Sequence, residues 1–283
     1  MNEIITETMS HEDFARFSKF IYDDYGIKLT SSKKTMLESR LQRRLRNLDI
    51  KTFSDYYDFV FSADGIKNEI VHLIDAVTTN KTDFFREPGC FDYLSRNALS
   101  RLIESHGAGI CRELRVWSAG CSSGEEPYTL AMVLDSFKSR QPDFRFSILA
   151  TDISTRMLKI AARAVYEQER ILPVPDAEKR KYFMTSKDAK KNLVRIVPEL
   201  RSRVTFRRLN LMERDFGIGE HMDIIFCRNV IIYFDRNTQE KLLNRLSGYL
   251  IRGGYLILGH SEILTNMDVP LERVAPTVYM KKR

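Results

Sequence analysis

From about residue 115 onward, short β-rich runs alternate with helical ones, and few folds accommodate that pattern. The β-rich runs are 115–119, 145–151, 204–209, 222–227 and 255–259, and the helical runs between them include 127–137, 154–164 and 238–250. Such alternation predicts an α/β fold with a mostly parallel sheet covered on both faces. Residues 273–281 read as a further strand pair with no helix between. Ligands of such sheets bind beyond the carboxyl ends of the strands. Those ends fall at Gly120, Asp152, Asn210, Arg228-Asn229 and His260-Ser-Glu262.

The first strand end carries the most chemistry. Residues 115–128 read Arg-Val-Trp-Ser-Ala-Gly-Cys-Ser-Ser-Gly-Glu-Glu-Pro-Tyr: a strand, a turn with Gly120 and Gly124, then a helix start with two acids and Pro127. Proline suits a first helical turn, where its missing N–H costs nothing. Strand, glycine turn and helix N-terminus together hold nucleotide-like ligands, and Gly120 is expected to admit the ligand close to the backbone. The sign of the charge is unusual. Glu125 and Glu126 stand where a pyrophosphate would sit, so they oppose a dinucleotide. They suit a ligand whose non-nucleoside end is cationic, as S-adenosylmethionine is with its sulfonium and ammonium. The competing reading, a nicotinamide-dependent oxidoreductase, is also disfavoured by a G-x-x-x-G spacing in place of G-x-G-x-x-G. Asp152 stands about where an acid grips ribose hydroxyls. Its plainer alternative is a helix cap ahead of Ser154.

At 283 residues the chain can hold one large domain or two modest ones, and 43% apolar with 29% charged residues is enough for a core. No apolar run approaches the roughly 20 residues that span a bilayer, and residues 1–4 lack signal-peptide character, so a cytoplasmic protein without membrane insertion is expected. The four cysteines form no CxxC pair and the five histidines lie without ligand spacing, so no metal site is expected. A net charge of +7 suggests an anionic partner.

Residues 1–76 read as an all-helical N-terminal domain, 77–90 as a linker, and 91–283 as the α/β domain. Phe14, Phe17, Phe20, Ile21 and Tyr25 recur at helical spacing and end at Gly26. A second helix from near Ser31 is basic on its other faces, through Lys33, Lys34, Arg40, Arg43, Arg44 and Arg46. Shorter helical runs are expected over 53–61 and 65–77. The connection from about 166 to 203 is too long for a crossover and reads as a small β insertion at the sheet's edge.

Six segments in order, Thr78-Thr-Asn-Lys-Thr-Asp-Phe-Phe-Arg86, Trp117-Ser-Ala-Gly-Cys-Ser-Ser-Gly-Glu-Glu-Pro-Tyr128, Ala150-Thr-Asp-Ile153, Asn210-Leu211, Phe226-Cys-Arg-Asn-Val-Ile-Ile-Tyr-Phe-Asp235 and Gly259-His-Ser-Glu262, resemble the CheR family of chemotaxis receptor glutamate methyltransferases. The resemblance covers nearly the whole chain. It implies a Rossmann-like S-adenosylmethionine-dependent methyltransferase sheet behind an all-α N-terminal domain, with S-adenosylhomocysteine as product. Carried over by position, Asn80, Thr82, Arg86, Glu126, Asp152, Asn210, Leu211, Arg228 and Asn229 would contact the cofactor, with Glu126 favoured over Glu125. Asn210 and Leu211 would flank the adenine. The partners implied are methyl-accepting receptors, whose acidic helices would dock on the basic helix; nucleic acid is not expected, because no aromatics are interleaved with these charges. Some family members grip a receptor C-terminal peptide through a glycine-containing loop of the insertion. Residues 185–192 contain no glycine, which argues against that tether here.

The implied chemistry needs no general base, since a glutamate carboxylate with a reference pKa of about 4.3 is already ionised near neutrality. Positioning is what remains, and Arg86 and Tyr233 are the candidates: a guanidinium to hold the carboxylate and a hydroxyl to line the methyl path. His260-Ser-Glu262 lacks a preceding nucleophile elbow and reads as a structural strand end. A monomer is expected, and a non-catalytic cofactor-sensing adaptor is the third reading.

Overall fold

A computed structural model describes residues 8–282; the reading of residues 1–4 lies outside the described residues. The chain opens with α1 (His11–Tyr25), α2 (Lys34–Leu48), α3 (Phe53–Val60), α4 (Ala63–Asn68) and α5 (Ile70–Val77). Ser10 Oγ accepts the Asp13 N–H at 2.9 Å to start α1. The apolar stripes of α1 (Phe14, Phe17, Ile21) and α2 (Leu37, Leu41, Leu45) close one core with Phe53, Tyr56, Leu73 and Ile74. The run expected over 65–77 is two helices, broken at Glu69. Glu69 is 3% exposed and turns inward. It accepts two bonds from Arg44, at 2.8 and 2.6 Å, and one from the Tyr56 hydroxyl at 2.8 Å. Burial, with the charge of Glu69, pushes the Tyr56 phenol up.

After a linker come α6 (Gly89–Tyr93) and α7 (Leu99–His106), then β1 (Leu114–Ala119), α8 (Glu125–Lys138), β2 (Phe146–Asp152) and α9 (Thr155–Arg163). An inserted unit follows: β3 (Val165–Glu167), α10 (Asp176–Tyr182), β4 (Phe183–Thr185), β5 (Leu193–Ile196) and α11 (Pro198–Arg201). The chain finishes with β6 (Val204–Arg208), β7 (Met222–Cys227), α12 (Arg236–Tyr249), β8 (Leu250–Leu258), β9 (Leu271–Ala275) and β10 (Val278–Lys281). The main sheet has the order β6-β2-β1-β7-β8-β10-β9. Its first five strands are parallel, and β10 and β9 join antiparallel. Alternate residues serve opposite faces: Ile224 and Phe226 pack toward α6 to α8, while Ile225 and Cys227 pack on Leu242, Leu243 and Leu246 of α12. β8 begins five residues before the run read from sequence, because Arg252-Gly-Gly254 looks like a turn although it continues the strand.

The insertion is a three-stranded antiparallel sheet, β3-β5-β4, beginning at Val165. Tyr166, Val194 and Ile196 pack into the same core as Phe84 and Tyr128. Its β4–β5 loop needed no glycine: Asn192 takes the left-handed conformation at φ 42°, which asparagine tolerates better than most residues. The argument drawn from the missing glycine is therefore corrected.

Removing the carboxylate of Glu69 leaves the Arg44 guanidinium and the Tyr56 hydroxyl without a partner. Glu69→Ala is expected to destabilise the helical domain by about 3 kcal/mol or more, read by chemical denaturation. Substitution of the exposed Arg43 should cost less than about 0.5 kcal/mol.

Candidate active site

β1 is flanked by β2 on one side and β7 on the other, so the chain reverses its direction of strand addition at β1. Crevices open at such switch points. Here the crevice is roofed by the helical domain. Gly120, Ser122, Asp152, Leu209, Leu211 and Arg228 form its floor, Asn80, Thr82 and Arg86 one wall, and Tyr25, Ile27, Lys28 and Met36 the roof. The space between these residues, open solvent at its mouth included, is about 1370 Å³.

Backbone contacts hold the roof in place. The Lys28 N–H donates to the Tyr233 carbonyl at 2.9 Å, and the Asn210 amide donates to the Asp24 carbonyl at 2.8 Å. The Tyr22 hydroxyl donates to Asp235, which also caps α12. Gly26 sits at φ 69°, and a Cβ there would lie 2.6 Å from Met212 Sδ, so the end of α1 lies directly on the loop after β6.

At the first strand end, Gly120 has φ 84°, and a Cβ would lie 2.4 Å from a Val230 methyl. A close approach to Val230 is thus one reason for glycine here, and Gly120 also lines the crevice, where the ligand-based reason applies. Asp152 is 8% exposed. Its two oxygens accept the N–H groups of Ser122 at 2.7 Å and Ser154 at 2.8 Å. The cap of α9 is instead Ser154 Oγ, at 3.1 Å from the Met157 nitrogen. The helix-cap alternative for Asp152 therefore falls. Each Asp152 oxygen keeps a lone pair for a hydroxyl.

Neighbouring helix residues point about 100° apart, and this separates the two acids of α8. Glu126 faces the crevice, where it accepts from Ser118 Oγ at 2.7 Å and Arg228 Nη1 at 3.1 Å. Glu125 lies outside the cavity lining. It turns to the insertion, accepting from Arg170 at 2.5 Å and Ser123 Oγ at 2.7 Å. The contact role considered for Glu125 is thus corrected to a tie between helix and insertion. Burial pushes the carboxyls of both Glu126 and Asp152 up.

The other candidates, Asn80, Thr82, Arg86, Asn210, Leu211, Arg228, Asn229 and Tyr233, all line the cavity. The Asn210 side chain is oriented by its own bonds, its amide to Asp24 and its oxygen to the Met212 N–H at 3.0 Å, and it keeps one N–H and one lone pair beyond them. Arg86 Nη1 donates to the Lys81 carbonyl at 3.0 Å. The Tyr233 hydroxyl makes no hydrogen bond to another described residue. Glu87 escaped the sequence reading, and Glu262 was read only as part of a structural strand end. Glu262, 4% exposed, accepts the N–H groups of Asn229, Val230, Ile231 and Gly259 at 2.6–3.0 Å and shapes the loop after β7. Glu87 accepts from Arg228 at 3.1 Å and Asn229 at 3.3 Å. Its partners are distant in the chain, so no local signal singled it out.

Residues 80–280 match the family described as CheR methyltransferase, SAM binding domain, and residues 12–78 match its all-alpha domain. The chain belongs to the CheR methyltransferase family. It is 39% identical over 274 residues to the chemotaxis protein methyltransferase of Borreliella burgdorferi, covering 96% of this chain and 95% of that one. It is 38% identical to chemotaxis protein methyltransferase 2 of Pseudomonas aeruginosa, covering 95% and 93%. Against the Escherichia coli chemotaxis protein methyltransferase it is 36% identical, covering 97% and 93%. Membership sets aside the nicotinamide reading.

As a CheR protein the chain uses S-adenosylmethionine, and the crevice fits it. Asp152 has open acceptor positions for hydroxyls, Glu126 offers a carboxylate to a cation, and Ile27, Leu209 and Leu211 offer apolar walls. No group of His, Cys, Asp or Glu among the described residues is arranged to hold a metal. No helix among them is long and apolar enough to cross a membrane.

The basic helix of this CheR chain is divided by its contacts. Arg44 is committed to Glu69, and Arg40 donates to the Val77 carbonyl at 2.6 Å and Thr79 Oγ1 at 3.1 Å. Both brace the domain, correcting their assignment to docking. Lys34 is half-buried, while Lys33, Arg43 and Arg46 are exposed.

Because Glu126 and Asp152 have raised pKa values, they gain protons earlier on acidification than carboxyls with the ordinary 4.5 and 3.8. Affinity for the cationic cofactor, followed by calorimetry, should therefore fall as pH drops through those raised values. Asp152→Asn is expected to weaken binding about tenfold or more, the worth of one charge-assisted hydrogen bond.

Proposed function

We propose that this CheR protein methylates glutamate side-chain carboxylates on methyl-accepting chemotaxis receptors, giving γ-glutamyl methyl esters. The observation that carries this reading is the absence of a free base. No histidine or cysteine lines the cleft among the described residues. Both oxygens of Glu126 and of Asp152 are already hydrogen-bonded, and Asp83 faces Arg170 at 3.4 Å. An amine or thiol acceptor would need deprotonation. A carboxylate arrives ionised.

Bound S-adenosylmethionine supplies the methyl group and departs as a neutral thioether. The protein's part is to bind, orient and exclude water. Asp152 takes ribose hydroxyls, Glu126 the cationic end, and Leu211 an adenine face. Arg86, on the cleft wall, holds the acceptor carboxylate, and Tyr233 lines its approach with a free hydroxyl. A roofed, partly dry cleft brings anion and sulfonium together at lower solvation cost than water does. A non-catalytic adaptor would have no use for this arrangement at the cleft mouth.

Acidic receptor helices would meet exposed cations. Lys28, Lys33 and Lys81 are exposed and line the cleft, and Arg43 and Arg46 are exposed on α2. Of the six residues first assigned to docking, Lys33, Arg43 and Arg46 are exposed, and Lys28 and Lys81 join them as the surface to test. The reading expects a cytoplasmic monomer. Incubation with methyl-labelled cofactor and receptor-containing membranes should give label released as methanol by base; label stable to base would refute ester formation. Arg43→Glu combined with Arg46→Glu, at exposed positions outside the cleft lining, is expected to raise KM for receptor about tenfold at low salt, with cofactor affinity unchanged and the difference shrinking as salt rises.

A further inference from the structure

We propose that Glu87 sets the charge of the cofactor cleft: its carboxylate cancels the buried guanidinium of Arg228, leaving Glu126 with net negative charge for the cationic methyl donor. The Arg228 side chain is 3% exposed, and its charge lies on the wall of a cleft that must take a sulfonium. Glu126 accepts from Nη1 at 3.1 Å. Glu126 alone would be neutralised by that pair, and the wall would offer the sulfonium no net attraction. Glu87 accepts from Nη2 at 3.1 Å, so one cation faces two carboxylates and the triad carries one negative charge. Arg86 reaches Glu87 only at 4.0 Å from a side chain 35% exposed, where water screens it.

The backbone shows that this placement is imposed. Glu87 has φ 56° directly before Pro88, and Phe85 has φ 53°, a left-handed pair of non-glycine residues flanking Arg86. Such conformations persist where the surroundings over-determine them. The surroundings here are the Arg228 guanidinium, the Asn229 amide at 3.3 Å and the His260 N–H at 3.3 Å. Burial pushes the Glu87 carboxyl up, but Arg228 outweighs it and holds the group below the usual range, so it stays ionised. Glu87 is a positioning residue: it acts through Arg228 and Glu126, whatever the acceptor.

S-adenosylmethionine differs from S-adenosylhomocysteine by the sulfonium charge and the methyl group that creates it, and the two share every other group. A substitution that leaves the methyl's surroundings in place changes the ratio of their Kd values through charge, so the shift of that ratio from wild type is the quantity to read. By calorimetry, Glu87→Gln is expected to weaken S-adenosylmethionine about tenfold and S-adenosylhomocysteine no more than about threefold, the order expected of one unit charge across a partly dry cleft. Glu87→Asp should keep the wild-type ratio. Arg228→Gln should move the ratio the opposite way, toward S-adenosylmethionine, and the double variant should return it to within about twofold of wild type. Equal weakening of both ligands by Glu87→Gln would overturn the proposal and leave Glu87 a brace only. If Glu87→Gln does not fold, Arg228→Gln decides: a ratio that stays put or moves toward S-adenosylhomocysteine overturns it.

Discussion

The guanidinium of Arg228 is the point on which the cleft is built. It is almost fully buried, stacks with its centre 5.3 Å from the Phe91 ring, and meets carboxylates from α8 and from the linker, together with the Arg86 carbonyl. A charge taken out of water costs several kcal/mol unless its donors are matched. That cost makes the arrangement mutually dependent: β7 places the cation, and the linker and α8 must bring their acids to it. Through this one group the linker wall, the helix start and the sheet floor share a common geometry.

A second buried acid does similar work without a counter-cation. Glu262 satisfies four backbone N–H groups, and so fixes the loop that carries Asn229, Val230 and Ile231. Val230 in turn packs where a side chain at position 120 would otherwise stand. The floor of the cleft is therefore shaped by contacts within the protein, and the glycine that lines the cleft is also a packing requirement. The roof follows the same logic, with backbone donors and carbonyls of Asp24, Lys28 and Tyr233 joining the two domains at the mouth.

Much of this was legible in the residue order. Period-two and period-3.6 apolar patterns mark where a strand or helix must bury a face, and they located β1, β2, β6, β7 and the helices between them. The strand ends named Asp152, Arg228 and Asn229 because ligand sites of parallel sheets lie there. Local signals failed where a residue's partner is distant in sequence. Arg40 and Arg44 look like their exposed neighbour Arg43, and only the fold reveals that Val77, Thr79 and Glu69 occupy them. Gly253 and Gly254 disguise the start of β8, because glycine favours turns, and here the pair falls in an irregularity of the β7–β8 pairing between Leu250 and Tyr255.

Pattern and order were sufficient for the class of fold, its family and the neighbourhood of the cofactor, since these depend on periodicity and on motifs that are contiguous in the chain. The direction of each acid was not. Glu125 and Glu126 are consecutive, yet one serves Arg170 in the insertion and the other Arg228 in the crevice. Which does which depends on the rotation of α8 against the sheet, and packing sets that rotation. Glu87 was beyond reach for the same reason: its partners lie more than 140 positions away, at separations of 141 to Arg228 and 142 to Asn229, and only the folded chain brings such charges within hydrogen-bond distance.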